Sequence, residues 1–198
     1  MTTVPSESPP ERLPVPDAPT AADLDRRDLR RFVEAGDREA LGALAVRYER
    51  DLLGAAQGFL QGNHALAREA VQNAWVRVVR HGRSFDHRAT VHTWLYRIVV
   101  NECRSLRRRE VNRERRDRDR VPPNASPPSE RHPASNDLAH AVASLPDHLR
   151  ETILLCYHGQ LTHAHVAEIL MIPIGTVKSR LNAALTALRS ALHGSDRP

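Results

Sequence analysis

Five prolines fall within residues 121–136, at Pro122, Pro123, Pro127, Pro128 and Pro133, with Ser and Asn between them. Proline removes a backbone donor and clashes with the preceding helical turn, so no regular element crosses this stretch. The chain is thereby cut into two blocks, each short enough to form only a small domain. Residues 1–22 have the same character, with Pro5, Pro9, Pro10, Pro14, Pro16 and Pro19, and are expected to be a disordered tail. The expected organisation is a tail over 1–22, a first domain over 23–110, a flexible linker over 111–136, a second domain over 137–193 and a short tail over 194–198.

Both blocks carry helical rather than strand periodicity. Phe, Trp and Tyr make up only 4% of the sequence, while Ala, Leu and Arg dominate, which favours an all-α fold. In the first block a long helix is predicted over 37–60, with Leu41, Leu44, Ala45, Tyr48, Leu52 and Ala55 on one stripe and Gly62 as its stop. The next starts at Asn63 or His64 and runs through Val71, Ala74, Trp75, Val78 and Val79 to Gly82. After a loop over 83–89, a third helix is marked by Val91, Trp94, Leu95, Ile98, Val99, Cys103 and Leu106. Its polar face carries Arg97, Asn101, Arg104, Ser105 and Arg108. Trp94 lies on the apolar stripe and is read as core rather than as a base-stacking platform.

In the second block, helices are predicted over 137–144 and 147–157, separated by Leu145-Pro146, with Pro146 suited to a first helical turn. Thr162 is positioned as the N-cap of a helix carrying Val166, Ala167, Ile169 and Leu170. The short Met171-Ile172-Pro173-Ile174-Gly175 break follows, and a last helix begins around Thr176 with Val177, Leu181, Leu185, Leu188 and Leu192 as its buried stripe. Two helices split by so tight a turn, the second opening on Thr176, Lys178, Ser179 and Arg180, form a helix-turn-helix pattern with polar groups where base edges are met.

Charge points the same way. The formal net charge is +5 and the pI is near 10.0, which suits an anionic partner. From Arg104 to Arg120 nine arginines face four carboxylates, so the local excess equals that of the whole chain. The run from Arg107 to Arg120 either touches DNA phosphates or is a solvated helix end. No apolar run approaches the roughly 20 residues that span a bilayer, and the N-terminus lacks a signal-peptide pattern, so a cytosolic protein without membrane insertion is expected. Cys103 and Cys156 fall in different blocks without metal-ligand spacing.

At these residues the chain resembles the extracytoplasmic-function sigma factors of the sigma-70 family. Ala67-Arg68-Glu69-Ala70-Val71-Gln72-Asn73 resembles the family's polymerase-binding helix, and the segment from Thr93 to Asn101 resembles its promoter-melting helix. Ile172-Pro173-Ile174-Gly175-Thr176-Val177-Lys178-Ser179-Arg180-Leu181 resembles its recognition helix-turn-helix. Leu145-Pro146 followed by Arg150 matches the start of the family's second domain. The family usually has Asp at the position of Glu69, Glu at that of Asn73, Gly at that of Met171, and Arg-rich sequence where Asn182, Ala183 and Ala184 stand.

The resemblance implies a non-enzymatic factor with no cofactor and no metal, whose partners are core RNA polymerase, promoter DNA and an anti-sigma factor. Glu69, Gln72, Asn73, Val76 and Arg80 would dock on the polymerase. Ser84, Phe85, Asp86 and His87, in a loop that resembles the family's base-capturing loop, would act with Arg97, Asn101, Arg104 and Arg108 in binding and melting the minus-ten element. Thr176, Lys178, Ser179, Arg180 and Asn182 would contact the minus-thirty-five element. Two rivals remain open from the residues alone. A stand-alone helix-turn-helix regulator would lack the melting helix. A metal-dependent enzyme is suggested by Cys156, His158, His163 and His165, but His163 and His165 are two apart and diverge on a helix.

Overall fold

The structure, a computed structural model, describes residues 19–86, 88–118 and 137–194. The expected linker beyond residue 118, most of the expected N-terminal tail and residues 195–198 lie outside the described residues. Eight α-helices form among them: α1 (Ala21–Ala35), α2 (Arg38–Phe59), α3 (His64–His81), α4 (Val91–Arg118), α5 (Asp137–Ser144), α6 (Asp147–Ile153), α7 (His163–Leu170) and α8 (Ile174–Gly194). A 3-10 turn follows α3 at Gly82–Ser84, and α6 runs on into a π-helical turn at Leu154–His158.

Local chemistry sets the helix ends in the first module. Thr20 and Asp23 form a reciprocal capping box at the start of α1, and Gly36 ends it in the left-handed region at φ 68°. Asp37 caps α2 by accepting from the Glu39 and Ala40 amides, and Asn63 caps α3 through the Leu66 amide at 3.1 Å. Helix α1 is held by charge as well as by Leu29. Its buried Asp25 and Asp28 both face Arg47 of α2, with Arg47 Nη2 2.8 Å from Asp28 Oδ2, and the Tyr48 hydroxyl donates to Asp25. These carboxylates leave water only because the guanidinium and phenol replace their hydration.

Helix α4 is the longest element and exceeds its expected extent. It continues to Arg118, through residues 111–118 of the expected linker. Nothing between Val91 and Val121 is Gly or Pro, and Arg and Glu are good helix formers, so the run propagates until residue 118. Trp94 is 5% exposed, as its stripe position predicts. Helix α8 begins two residues earlier than expected, at Ile174, directly after Pro173.

In the second module α5, α6 and α8 enclose Ala141, Leu145, Leu149, Ile153, Leu181, Ala184 and Leu188. Arg150, 1% exposed, stitches the α5–α6 corner by donating Nη1 to the Ala143 and Leu145 carbonyls at 3.0 and 2.8 Å, with Nη2 against Asp147. A buried cation thus satisfies the orphan carbonyls at the C-terminus of α5.

The two modules pack directly on each other. Leu155, Leu161, Val166, Ile169, Leu170 and Val177 belong to one apolar cluster with Leu44, Leu52, Leu95 and Val99 of the first bundle. Gly54 and Gly58, one turn apart on α2, form the seat. A Cβ on Gly54 would stand 2.7 Å from the His158 ring, and one on Gly58 would stand 2.7 Å from Leu154 Cδ1. Opposite them, a Cβ on Gly159 would stand 2.9 Å from Tyr96 of α4. His158 Nε2 donates to the Asp51 carbonyl at 2.9 Å, which locks the ring over Gly54.

Candidate nucleic-acid and polymerase interfaces

The helix-turn-helix is α7, its turn and α8. Thr162 caps α7 by accepting from the His165 amide at 3.3 Å, as its sequence position predicts. Met171 ends the helix in the left-handed region at φ 55° and ψ 48°, and the Ile172 amide closes the turn on the Ala167 carbonyl at 3.1 Å. Pro173 then starts α8 by accepting from the Thr176 and Val177 amides at 2.9 and 3.2 Å. Val177, Leu181, Ala184 and Leu188 face the core, which turns Lys178, Ser179 and Asn182 to solvent and leaves Thr176 and Arg180 half-buried. The Ser179 hydroxyl donates to its own helix at the Thr176 carbonyl, 3.0 Å away.

A second basic surface lies along α4. Residues 97, 101, 104 and 108 follow helical spacing, so Arg97, Asn101, Arg104 and Arg108 share one face. Asn101 and Arg108 are exposed. Arg97 and Arg104 instead meet carboxylates of the second module. Arg97 Nη1 is 3.2 Å from Glu168 Oε1, and Arg104 holds Glu151 through Nη2 at 2.6 Å and Nε at 3.3 Å. Arg107 pairs with Asp147 in the same row. Arg104, Arg107, Arg108 and Arg115 line an open cleft with Asp147 and Glu151.

The loop before α4 is partly reassigned. Ser84 and Asp86 are exposed, with the Ser84 hydroxyl donating to the His81 carbonyl at 2.7 Å and Asp86 accepting from the Arg88 amide at 3.2 Å. Phe85, expected among the base-contacting residues, is a core residue: it is 7% exposed and its ring centroid is 5.3 Å from that of Trp94. An aromatic next to an apolar helix stripe removes more area from water by packing than by waiting for a base. His87 lies outside the described residues.

Glu69, Gln72, Val76 and Arg80 are exposed on the outer face of α3 and Asn73 is half-buried beside them, five residues on one side of the helix. Val76 is 40% and Val79 53% exposed, which gives this face an apolar strip among polar groups. It points away from the seam between the modules, which is built from α2 and α4.

Neither cysteine is disposed for thiolate chemistry. Burial pushes the Cys103 thiol up to about 12, with Glu151 and Glu102 adding to the effect, and burial also raises Cys156. Among the described residues no three His, Cys, Asp or Glu side chains converge to hold a metal ion. His92 of α4 lies at the module seam, stacked on Tyr48 at 5.6 Å and edge-on to Tyr96 at 4.9 Å. Burial depresses its basicity, and neighbouring His165 adds to the effect.

The seam residues Gly54, Gly58, Asp147, Glu151 and Glu168 are not among the expected functional residues, and His158, weighed only as a metal ligand, packs over Gly54 instead. The one local signal was a pair of glycines four apart inside a helical pattern, where each costs about 1 kcal/mol relative to Ala and so calls for a packing reason.

A helical bundle with a basic face on one long helix, coupled to a helix-turn-helix, defines a two-module DNA-binding transcription factor. Residues 44–113 match the family described as Sigma-70 region 2, and residues 141–190 match Sigma-70, region 4. The ECF RNA polymerase sigma factor RpoE of Cereibacter sphaeroides is 31% identical over 147 residues, covering 67% of this chain and 77% of that protein. The ECF RNA polymerase sigma-E factor of Haemophilus influenzae is 28% identical, covering 81% of this chain and 92% of that protein. Among solved structures, the sigma factor RpoE of Bartonella quintana, in complex with the anti-sigma factor NepR, superposes with a TM-score of 0.64 at 27% identity, covering 79% of this chain and 98% of that one. The chain belongs to the extracytoplasmic-function sigma factors of the sigma-70 family.

Proposed function

We propose that this sigma factor docks on core RNA polymerase through the α3 face of Glu69, Gln72, Asn73, Val76 and Arg80, and that its two modules contact separate promoter elements. Helix α8 enters the major groove of the minus-thirty-five element, with Lys178, Ser179, Arg180 and Asn182 toward bases and phosphates and Thr176 near the backbone. Arg97, Asn101, Arg104 and Arg108 of α4 hold the separated strand at the minus-ten element, with Ser84 and Asp86 at its edge. The polymerase carries the catalytic chemistry and this chain supplies recognition and strand opening. It works in the cytoplasm, where polymerase and DNA are; no helix among the described residues is long and apolar enough to cross a membrane. An anti-sigma factor is its expected regulator, as NepR is for the Bartonella quintana protein.

The observation that carries this reading is the division of α8 into two faces directly after a tight turn: Val177, Leu181, Ala184 and Leu188 inward, Lys178, Ser179 and Asn182 outward. A stand-alone regulator would have the same α8 but no use for α4, whose basic face belongs to a region 2 module. The test is transcription of sheared genomic DNA by core polymerase with and without this protein, with the transcript starts mapped. Starts that share upstream elements and disappear with Lys178→Ala/Arg180→Ala support the reading. Absence of any added start, or starts indifferent to those changes, rejects it.

A further inference from the structure

Leu106, 4% exposed, is the last residue of α4 in the core among those described, yet the helix runs on to Arg118. Residues 107–118 therefore project past the bundle by about 18 Å at 1.5 Å per residue. They carry seven arginines against three carboxylates. A segment this short is marginally helical in water by itself, but here the packed part of α4 nucleates it. Its arginines are thus held at fixed angles about one axis.

Those angles decide which arginines act together. At about 100° per residue, Arg97, Arg104, Arg108 and Arg115 fall within about 40° of one another, on a row about 27 Å long. The carboxylate positions of the extension, 110, 114 and 117, lie about 100° or more round the axis from that row. Arg108 and Arg115 are exposed, and both line the open cleft beside Val111 and Asn112. Arg116, the next position round, turns its Nε back to the Asn112 carbonyl of its own helix at 3.1 Å.

We infer that the extension of α4 is a clamp for the phosphates of double-stranded DNA at the upstream edge of the minus-ten element, with Arg108 and Arg115 as its contacts. This rests on the assignment of the α4 face to the minus-ten strand, which the row continues in register. Chain direction sets which end is upstream: beyond Arg118 the chain runs on to the second module, proposed above for the minus-thirty-five element, so the C-terminal end of α4 faces DNA that is still paired. Composition sets what is bound there. No Phe, Trp or Tyr occurs from Arg97 to Arg118, so nothing in the extension offers unpaired bases a stacking platform. A row of cations without stacking is suited to the higher charge density of a duplex, one negative charge per about 1.7 Å of axis. Guanidinium forks on phosphate oxygens position the DNA without reading its sequence. The clamp adds affinity alike at every promoter, and that affinity falls with salt.

The test uses the full chain and fluorescence anisotropy with two fluorescein-labelled DNA probes of arbitrary sequence, a duplex of about 20 base pairs and a single strand of about 20 nucleotides, each longer than the row. Arg115→Glu and Arg116→Glu make the same charge change at adjacent exposed positions, so effects of net charge are common to both. Arg115→Glu should weaken duplex binding about tenfold at roughly 0.1 M salt and lower the slope of log affinity against log salt by about 0.9, the value of one phosphate contact. Arg116→Glu should leave that slope unchanged, and single-strand binding should be nearly unaffected by either. Equal losses in the two variants, or no loss in Arg115→Glu, overturn the clamp and leave a solvated helix end. A loss in Arg115→Glu that is as large on the single strand overturns the assignment to duplex. Weakened association with core polymerase at unchanged duplex affinity gives the row to the enzyme and overturns the inference as well. Asn101→Glu reports separately on the strand-holding face and should weaken the single strand. If it does not, that reading fails and takes with it the placement at the minus-ten edge, whatever Arg115→Glu does to the duplex.

Discussion

The guanidinium of Arg104 grips both carboxylate oxygens of Glu151, 47 residues away and in the other module, at 2.6 and 3.3 Å. The two ends of this pair are unequal: the Glu151 side chain is 12% exposed and that of Arg104 37%. Removing the arginine strands a carboxylate that water barely reaches, whereas removing the carboxylate frees a guanidinium that can still turn to solvent. Arg104→Ala should therefore destabilise the closed chain more than Glu151→Ala. A double-mutant cycle read by thermal unfolding should give a coupling of about 1 kcal/mol that shrinks with added salt. Equal single-mutant costs with zero coupling would show that the pair is incidental.

Gly54→Ala sets two effects of opposite sign in two places. Inside α2 the substitution is favourable by about 1 kcal/mol, because glycine loses more backbone freedom. At the seam the new methyl group stands 2.7 Å from the His158 ring and displaces it from the Asp51 carbonyl, with overpacking costs of roughly 1–3 kcal/mol. Amide exchange should become faster over the Leu154–His158 turn and slower within α2. The same direction in both places would show that the seat does not set the module contact.

What could be read from sequence follows how local each cause is. The stripes Leu41, Leu44, Leu52 and Trp94, Leu95, Val99 are legible because helical spacing alone puts them on one face, and all six are half-buried or fully buried. Thr162 as a cap is likewise set within a few residues. Helix α1 was not legible: its inward face includes Asp25 and Asp28, which read as surface until Arg47 arrives from α2. Arg97 and Arg104 were recognised as a basic face, but their partners lie 71 and 47 residues away. No periodicity encodes such a pairing. Phe85 was misplaced for a related reason, since its neighbour in the core is Trp94 across the loop rather than a residue in its own turn.

Met171 holds a left-handed conformation, at φ 55° and ψ 48°, in the turn between α7 and α8, and its side chain is 82% exposed. A Cβ there crowds the following carbonyl, at a cost of roughly 1 kcal/mol that glycine avoids, and little packing offsets it. Met171→Gly should stabilise the second module by about that amount in chemical denaturation while leaving the turn and DNA affinity unchanged. Destabilisation would mean that the methionine makes a contact stronger than its exposure allows.

His92 makes the closed form sensitive to acid. Its ring lies between Tyr48 and Tyr96, and burial, with help from His165, holds its basicity below the ordinary 6.5, while Asp25 and Asp51 pull the other way; His158 also lines the adjoining pocket. The unfolded chain therefore binds a proton on this residue at a higher pH than the folded chain. Stability from this group is present above about pH 6.5 and is lost as pH falls below it toward the folded value, by at most about 1.4 kcal/mol per pH unit. Thermal midpoints measured between about pH 7.5 and 5.5 should fall on the acid side. His92→Phe keeps the ring packing without the proton and should reduce that slope. An identical slope in the variant would assign the acid sensitivity to other groups and leave His92 a packing residue only.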